Sequence, residues 1–354
     1  MIEATFTDIS NWDKKHHYST GGTRSKYIAV HPEKNIDYFF KGSKETPLGE
    51  IRYETEFWSE IVSSKIGNLL GFPMLDYNIG YDKNHKQQIG CLSKTMIQES
   101  YNKLTEGVTY LTGYSPSYNP DTDKRDYTFQ FISKALKKYG LERYINNIIE
   151  IVIFDSIIGN SDRHQENWGI ISSYKMIKVD LDEPKIEINK GILDRLTKIF
   201  TQKTSIKEIE ISTKDNLSQK YRFQQMNYFA PIYDSGCCLG REHTDDRVKN
   251  LIKDEQMLNA YIKRGVSEIH WEGNNKKSNH FDLVNYLLEH KRDIVVVYIE
   301  RVKKEYNSQH IKEVIFNIDK HLPEELIKFK LSNERKELMF KLVTLRIEKL
   351  IDLI

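Results

Sequence analysis

The segment Asn160-Ser161-Asp162-Arg163-His164-Gln165-Glu166-Asn167-Trp168-Gly169 is polar, stands between two apolar stretches, and constrains this chain more than any other. Before it, Ile145, Ile148, Ile149, Val152, Ile153 and Ile157 recur at three- and four-residue steps, which predicts a helix with a buried face. Gly159 and Asn160 should end that helix, since both tolerate the left-handed conformation of a helix terminus. After it, Trp168, Ile170 and Ile171 predict a short buried strand. A loop tied at both ends to core elements is what positioned chemistry requires.

Within the loop, Asp162 and Asn167 are five residues apart with His164 between them. That spacing suits two tasks of phosphoryl transfer: an Asp that takes or orients a hydroxyl proton, and an Asn oxygen that holds Mg²⁺. A hard cation of this kind takes one or two protein oxygens beside nucleotide phosphates, so one more carboxylate is expected. Tyr228-Phe229-Ala230-Pro231-Ile232-Tyr233-Asp234-Ser235-Gly236 supplies it, as a strand ending in Asp234 with Gly236 to let the backbone turn away. An isolated Asp-Arg-His is commonly a solvated turn. It is the pairing of Asp-x-His-x-x-Asn with a later strand ending in Asp-x-Gly that points to phosphotransfer.

With 354 residues, 39% of them hydrophobic, the chain can bury a sizeable core and divide into two lobes. Its 53 basic and 51 acidic residues are too evenly balanced for a nucleic-acid-binding surface over the whole molecule. The three cysteines, Cys91, Cys237 and Cys238, match no metal-finger spacing and suit a reducing compartment, where burial as small hydrophobes is the expectation. No basic-then-apolar leader and no apolar run long enough to span a bilayer are visible, so a soluble, cytoplasmic protein without membrane contact is expected. Later export as an effector, by a route that needs no cleaved signal, stays open.

Upstream, Tyr18 to Lys26 is a turn of small residues leading into the strand Tyr27 to Val30. Ser19, Gly21, Gly22, Thr23 and Lys26 there are candidates to approach nucleotide phosphates through backbone N–H groups and a cation. Asp37 to Gly42 reads as an aromatic strand carrying Lys41, a point charge suited to phosphate. Glu54 to Leu70 has helical spacing, and either Glu56 or Glu60 on it can hold Lys41, as a strand Lys and helix Glu pair in protein kinases. Gly71-Phe72-Pro73 closes that helix, and strands follow at Leu75 to Tyr81 and Ile89 to Ile97, leading to a hinge at which Met96 is the remaining nucleotide-contact candidate.

Thr109 to Asp126, rich in Tyr, Ser, Pro, Gly and Asp, reads as a long surface loop, and Phe129 to Leu136 as an amphipathic helix. Ser172 to Gln225 is a polar insert with strand-like alternation at Lys185 to Ile188 and Ile206 to Ser212. Beyond Asp234 the pattern is helical except near Glu268 to Asn275. Phe281 to Leu288, Ile294 to Val302 and Leu338 to Leu350 carry helical spacing, the last capped by Ser332 or Asn333. The expected fold is α+β and bilobal, of protein-kinase type. A mixed β/α N-terminal lobe occupies residues 1–98, and a larger, mainly helical C-terminal lobe residues 99–354, with the insert at about 172–225.

These motifs together resemble the HipA-type serine/threonine kinases, especially their short CtkA-like members. The resemblance runs from Ser19-x-x-Gly22-x-x-x-Lys26 through Lys41, Glu60 and Asn160 to Gly169, to Ala230 to Gly236. It implies a catalytic Asp162, Mg²⁺ at Asn167 and Asp234, Lys41 on ATP phosphates, and Glu60 rather than Glu56 as the partner of Lys41. It also implies that Ser19 is a candidate autophosphorylation site, with Thr20 and Thr23 as neighbours. The substrate would be a protein, in the setting of a bacterial toxin or effector. The subdomain through which HipA toxins meet their antitoxin is missing, so an antitoxin or regulatory partner would have to bind differently. Phosphoinositide-kinase-like lipid or small-molecule kinases share the Asp-Arg-His-x-x-Asn loop and remain an alternative. A metal-dependent phosphohydrolase using Asp162 and His164 is a second, and a binding module or pseudokinase a third.

Overall fold

The structure, a computed structural model, describes residues 2–15, 24–46, 48–99, 101–178, 208–212, 218–274 and 277–354. Two compact units emerge. The larger comprises Met1–Thr95, Val108–Trp168 and Pro231–Ile354, and the smaller comprises Met96–Gly107 and Gly169–Ala230.

In the larger unit, strands β1 (Phe6–Asp8), β2 (Asp13–Lys15), β3 (Arg24–Val30), β4 (Asp37–Lys44), β5 (Tyr77–Tyr81) and β6 (Ile89–Lys94) form one sheet in the order β1-β5-β6-β4-β3-β2. All neighbours are antiparallel except β1 with β5. Alternation along β3, β4 and β6 sends Tyr27, Ala29, Phe40 and Leu92 to one face, where they pack with Ile9. Helix α1 (Glu56–Leu69) lies against β4, β5 and β6 and is buried on almost every side, including Glu56, Glu60 and Lys65. Charges inside such a helix need partners, which foretells ion pairs. The sequence did not mark β1 and β2, three-residue strands whose partners lie far along the chain.

The remaining elements of this unit are mainly helical: α2 (Gly107–Tyr114), α3 (Phe129–Lys138), α4 (Ile145–Ile158), α5 (Asp245–Lys253), α6 (Glu255–Arg264), α7 (His280–Glu305), α8 (Ser308–Phe316) and α9 (Asn333–Ile351). Helix α4 is largely apolar, is buried on almost every side, Glu150 and Asp155 included, and packs against α7 and α9. Val248, Leu251, Leu258, Ile262, Leu338 and Leu342 join α5, α6 and α9 in a second core. Ser332 caps α9 as expected, its hydroxyl accepting from the Arg335 N–H.

One expectation is corrected here. Thr109 to Asp126 is not a loop throughout: α2 runs to Tyr114, because Leu111 is fully buried and the Val108 N–H bonds to the Gln165 carbonyl, a tertiary anchor that outweighs weak local propensity. The helices expected at Phe281 to Leu288 and Ile294 to Val302 are both present, as the two halves of α7 on either side of Lys291, whose backbone is non-helical (φ −142°, ψ 36°). No described helix is long and apolar enough to cross a membrane.

The smaller unit is a four-stranded antiparallel sheet, ordered β7-β8-β10-β9, from β7 (Lys103–Glu106), β8 (Gly169–Lys178), β9 (Glu208–Ser212) and β10 (Ser218–Phe229). The strand begun by Ile170 and Ile171 is therefore longer than expected. The alternation at Lys185 to Ile188 lies outside the described residues.

Candidate active site

Helix α4 ends where Gly159 takes a left-handed φ of 68°, and the chain enters the polar loop. The loop is held by its own side chains, as Asn residues do when they mimic a backbone turn. Asn160 donates from Nδ2 to Asp155 Oδ1 (3.0 Å), and its Oδ1 accepts from the Asp162 N–H (3.3 Å). Asn167 donates from Nδ2 to the Asp162 carbonyl (2.6 Å), which fixes Asp162 and Asn167 relative to one another. With its nitrogen so engaged, the amide oxygen of Asn167 is the end left for another ligand. The Asp162 side chain is 43% exposed, open to an incoming group.

Beside the loop runs the segment bearing Asp234, pinned where the Ile232 N–H bonds to the Pro73 carbonyl (2.7 Å) and the Leu75 N–H to the Ile232 carbonyl (2.9 Å). Asp234 itself adopts the left-handed conformation, φ 52°. Its Oδ1 meets Lys41 Nζ at 2.7 Å, and the same ammonium meets Glu60 Oε2 at 2.9 Å. Lys41 and Glu60 are only 5% and 1% exposed, so this is a desolvated cation between two carboxylates. The second oxygen of Glu60 accepts from the Ser235 N–H (2.8 Å), binding α1 to the Asp234 segment. Gly236 serves differently from expectation. Asp234 makes the unusual turn, whereas a Cβ at Gly236 would lie 2.8 Å from Glu60 Oε2, so glycine is there for space. Glu56 is engaged elsewhere, with Arg241 Nη1 (3.0 Å) and the Lys44 N–H (2.8 Å).

Arg163, 1% exposed, joins these two halves. Its guanidinium grips Asp155 with Nε and Nη2 (3.0 and 2.9 Å) and donates to the carbonyls of Asn167 (2.8 Å) and Tyr233 (2.5 Å) and to Ser235 Oγ (2.9 Å). Burial opposes its charge, yet the Asp155 carboxylate beside it more than compensates and raises its pKa. On the open side of the loop, His164 Nδ1 and Glu166 Oε2 are 2.5 Å apart. Burial works against the His164 charge, but the bond to Glu166 and the nearby Asp162 prevail and lift the imidazole above its ordinary 6.5. Glu166 is lowered: burial would raise it, and the His164 bond and charge outweigh that. Cys237 donates from Sγ to Asp162 Oδ2 (3.0 Å) and accepts from Arg241 Nη2 (2.9 Å). Cys91, Cys237 and Cys238 are all buried and unbridged.

Of the residues singled out in the sequence, Lys41 thus contacts both Glu60 and Asp234, and Asp162 and Asn167 form a second contact pair. Lys26 is half-buried and stands directly across from Lys41 in the β3–β4 register. Met96 follows β6 by two residues and is the first residue of the smaller unit. Ser19, Thr20, Gly21, Gly22 and Thr23 lie outside the described residues. The sequence reading missed Arg163, Asp155 and Cys237. A signal existed for the first two: Asp155 is an acid inside an apolar helix, and Arg163 an arginine in a loop clamped by core elements, so each needed a buried counter-charge.

Among the described residues no group of three His, Cys, Asp or Glu is placed to hold a metal, so a cage built of such side chains is not found there. Asn167 and Asp234 each carry an oxygen of the type that a hard cation takes beside phosphates and water. Asp234 is paired with the Lys41 ammonium.

No family model matches the chain. The serine/threonine-protein kinase CtkA of Helicobacter pylori is 22% identical over 286 residues, spanning 80% of this chain and 70% of that protein. The crystal structure of a Helicobacter pylori proinflammatory kinase CtkA aligns with 98% of this chain and 96% of its own, with a TM-score of 0.66 and 18% identity. In sequence and in fold the chain is CtkA-like, and its architecture is the bilobal α+β fold of that kinase.

Proposed function

We propose that this CtkA-like chain is an ATP- and Mg²⁺-dependent serine/threonine protein kinase. The observation that carries the reading is Lys41, buried between Glu60 and Asp234 and adjoining a loop that exposes Asp162. Glu60 holds the ammonium, which would bind nucleotide phosphate as a point charge, and Asp234 beside it would be a metal ligand. Mg²⁺ held by Asn167 and Asp234 would neutralise charge on the β- and γ-phosphates. Asp162, steadied at Oδ2 by the Cys237 thiol, takes the proton of the acceptor hydroxyl as its oxygen bonds to the γ-phosphorus and the bond to the β-phosphate oxygen breaks. Ser19, Gly21, Gly22 and Thr23 would cover the phosphates, Lys26 of β3, across from Lys41, would add a second cation there, and Met96 would contact the nucleotide at the hinge.

The acceptor is a protein serine or threonine, a reading supported by the name of the relative, and its description as proinflammatory favours an effector role. Ser19 is the proposed autophosphorylation site. A phosphoserine adds about −1.5 to −2 charge beside a site meant for a polyanion, and so would switch the enzyme off.

Incubation with γ-labelled ATP and Mg²⁺, with the label then traced to protein, lipid or free phosphate, tests the reaction class. Label on protein is expected; label confined to lipid or to free phosphate overturns the reading. In the same assay Asp162→Ala should abolish transfer while keeping nucleotide affinity, whereas Asp234→Ala should lose both transfer and metal-dependent nucleotide binding. Full activity in either variant removes that residue from the mechanism.

A further inference from the structure

We propose that Arg163 is a positioning residue that sets the separation of the two metal-binding groups, Asn167 and Asp234, with Asp155 as its anchor. The proposal rests on the kinase reading above, and it concerns a residue that touches neither nucleotide nor acceptor in that mechanism.

The two ligands come from different stretches of chain, one in the loop after α4 and one after β10. A metal with strict octahedral demands tolerates little error in their spacing. Arg163 bonds to the backbone of Asn167 itself and to both neighbours of Asp234, the Tyr233 carbonyl and Ser235 Oγ. Its planar fork fixes the angles among these partners, which a flexible ammonium on a single point could not. Asp155 holds the fork from below by two bonds and is itself fixed by Asn160 Nδ2. A further tie runs the same way, from Tyr233 Oη to the Glu166 carbonyl (2.8 Å). The guanidinium therefore joins the two stretches that carry Asn167 and Asp234, and its burial leaves it no second task at the surface.

A residue that merely filled the core would, when changed, weaken the protein without selecting among ligands. A positioning residue predicts a selective loss. The affinity for ADP is measured by calorimetry with and without Mg²⁺ in the parent, in Arg163→Lys and in Ser235→Ala, with circular dichroism as the check on folding. Arg163→Lys should keep the metal-free affinity and lose the increment that Mg²⁺ confers by about 10- to 100-fold, the loss typical when a group supporting a metal ligand is removed. In turnover, kcat should fall more than KM for nucleotide rises. Ser235→Ala removes one of the bonds and should lose less, in the same direction; it decides the matter if Arg163→Lys does not fold. An unchanged metal increment in the folded variants overturns the proposal alone, as does an equal loss with and without metal. A parent that binds no nucleotide overturns the kinase reading, and the proposal with it.

Discussion

At the scale of single residues the loop after α4 is governed by how its charges are matched. His164 and Glu166 are an ion pair at the open side, and the sign of its pH dependence follows from the two shifts. His164 is raised, so its contribution is complete below 6.5 and is lost as pH rises through its higher folded value. Glu166 is lowered, so its contribution is complete above 4.5 and is lost as pH falls through its lower folded value. The pair thus operates from below pH 4.5 to above pH 6.5. An NMR titration should place the His164 midpoint above 6.5, and Glu166→Gln should bring it down; a parent midpoint at or below 6.5 would contradict the pairing. The residues visible in the sequence were those whose type is demanded by chemistry: Asp162, Asn167, Asp234 and Lys41. Arg163 and Asp155 escaped because their role is a buried contact eight positions apart, and no spacing rule says that a polar side chain in a loop turns inward. Cys237 escaped likewise, since only the fold brings its thiol to Asp162.

At the scale of elements, α1 and the Asp234 segment approach so closely that one hydrogen atom is all the room there is at Gly236. Gly236→Ala places a Cβ 2.8 Å from Glu60 Oε2, and the carboxylate must move away from Lys41 and the Ser235 N–H. Overpacking of this kind costs about 1–3 kcal/mol. The variant should fold with reduced stability in urea and show little turnover; unimpaired turnover would mean that the Lys41–Glu60 contact is dispensable. The long periodic elements, α1, α3, α4 and α9, were legible because their apolar spacing extends over several turns. Short elements were not: β1, β2 and β7 have at most four residues each, and α2 is stabilised by what Leu111 and Val108 touch rather than by its own composition.

For the molecule as a whole, nucleotide binding and stability should be linked through Lys41. A ligand that binds only the folded state adds about 2.7 kcal/mol at a hundredfold excess over its dissociation constant. The parent's melting temperature should therefore rise with Mg·ATP, while Lys41→Met, melting lower at the outset because Glu60 is left buried without its cation, should gain nothing. An equal rise in both would show that Lys41 takes no part in holding nucleotide. The smaller unit leads to another expectation. Its longer segment, Gly169–Ala230, begins and ends on neighbouring strands, with Ile170 facing Phe229 and the Ala230 N–H bonded to the Gly169 carbonyl (2.9 Å). Lengthening or shortening the chain at the far end of such a ladder costs only a slowly growing closure entropy. Replacing residues 179–217 by a short turn removes the edge strand β9 but spares the β8–β10 pairing, so phosphotransfer by the purified protein should stay within about twofold of the parent, and a full loss would show that the segment acts in the reaction. The ladder thus works as a port, where a lineage could graft or trim sequence, and an experimenter a fluorescent reporter, with the chemistry left undisturbed.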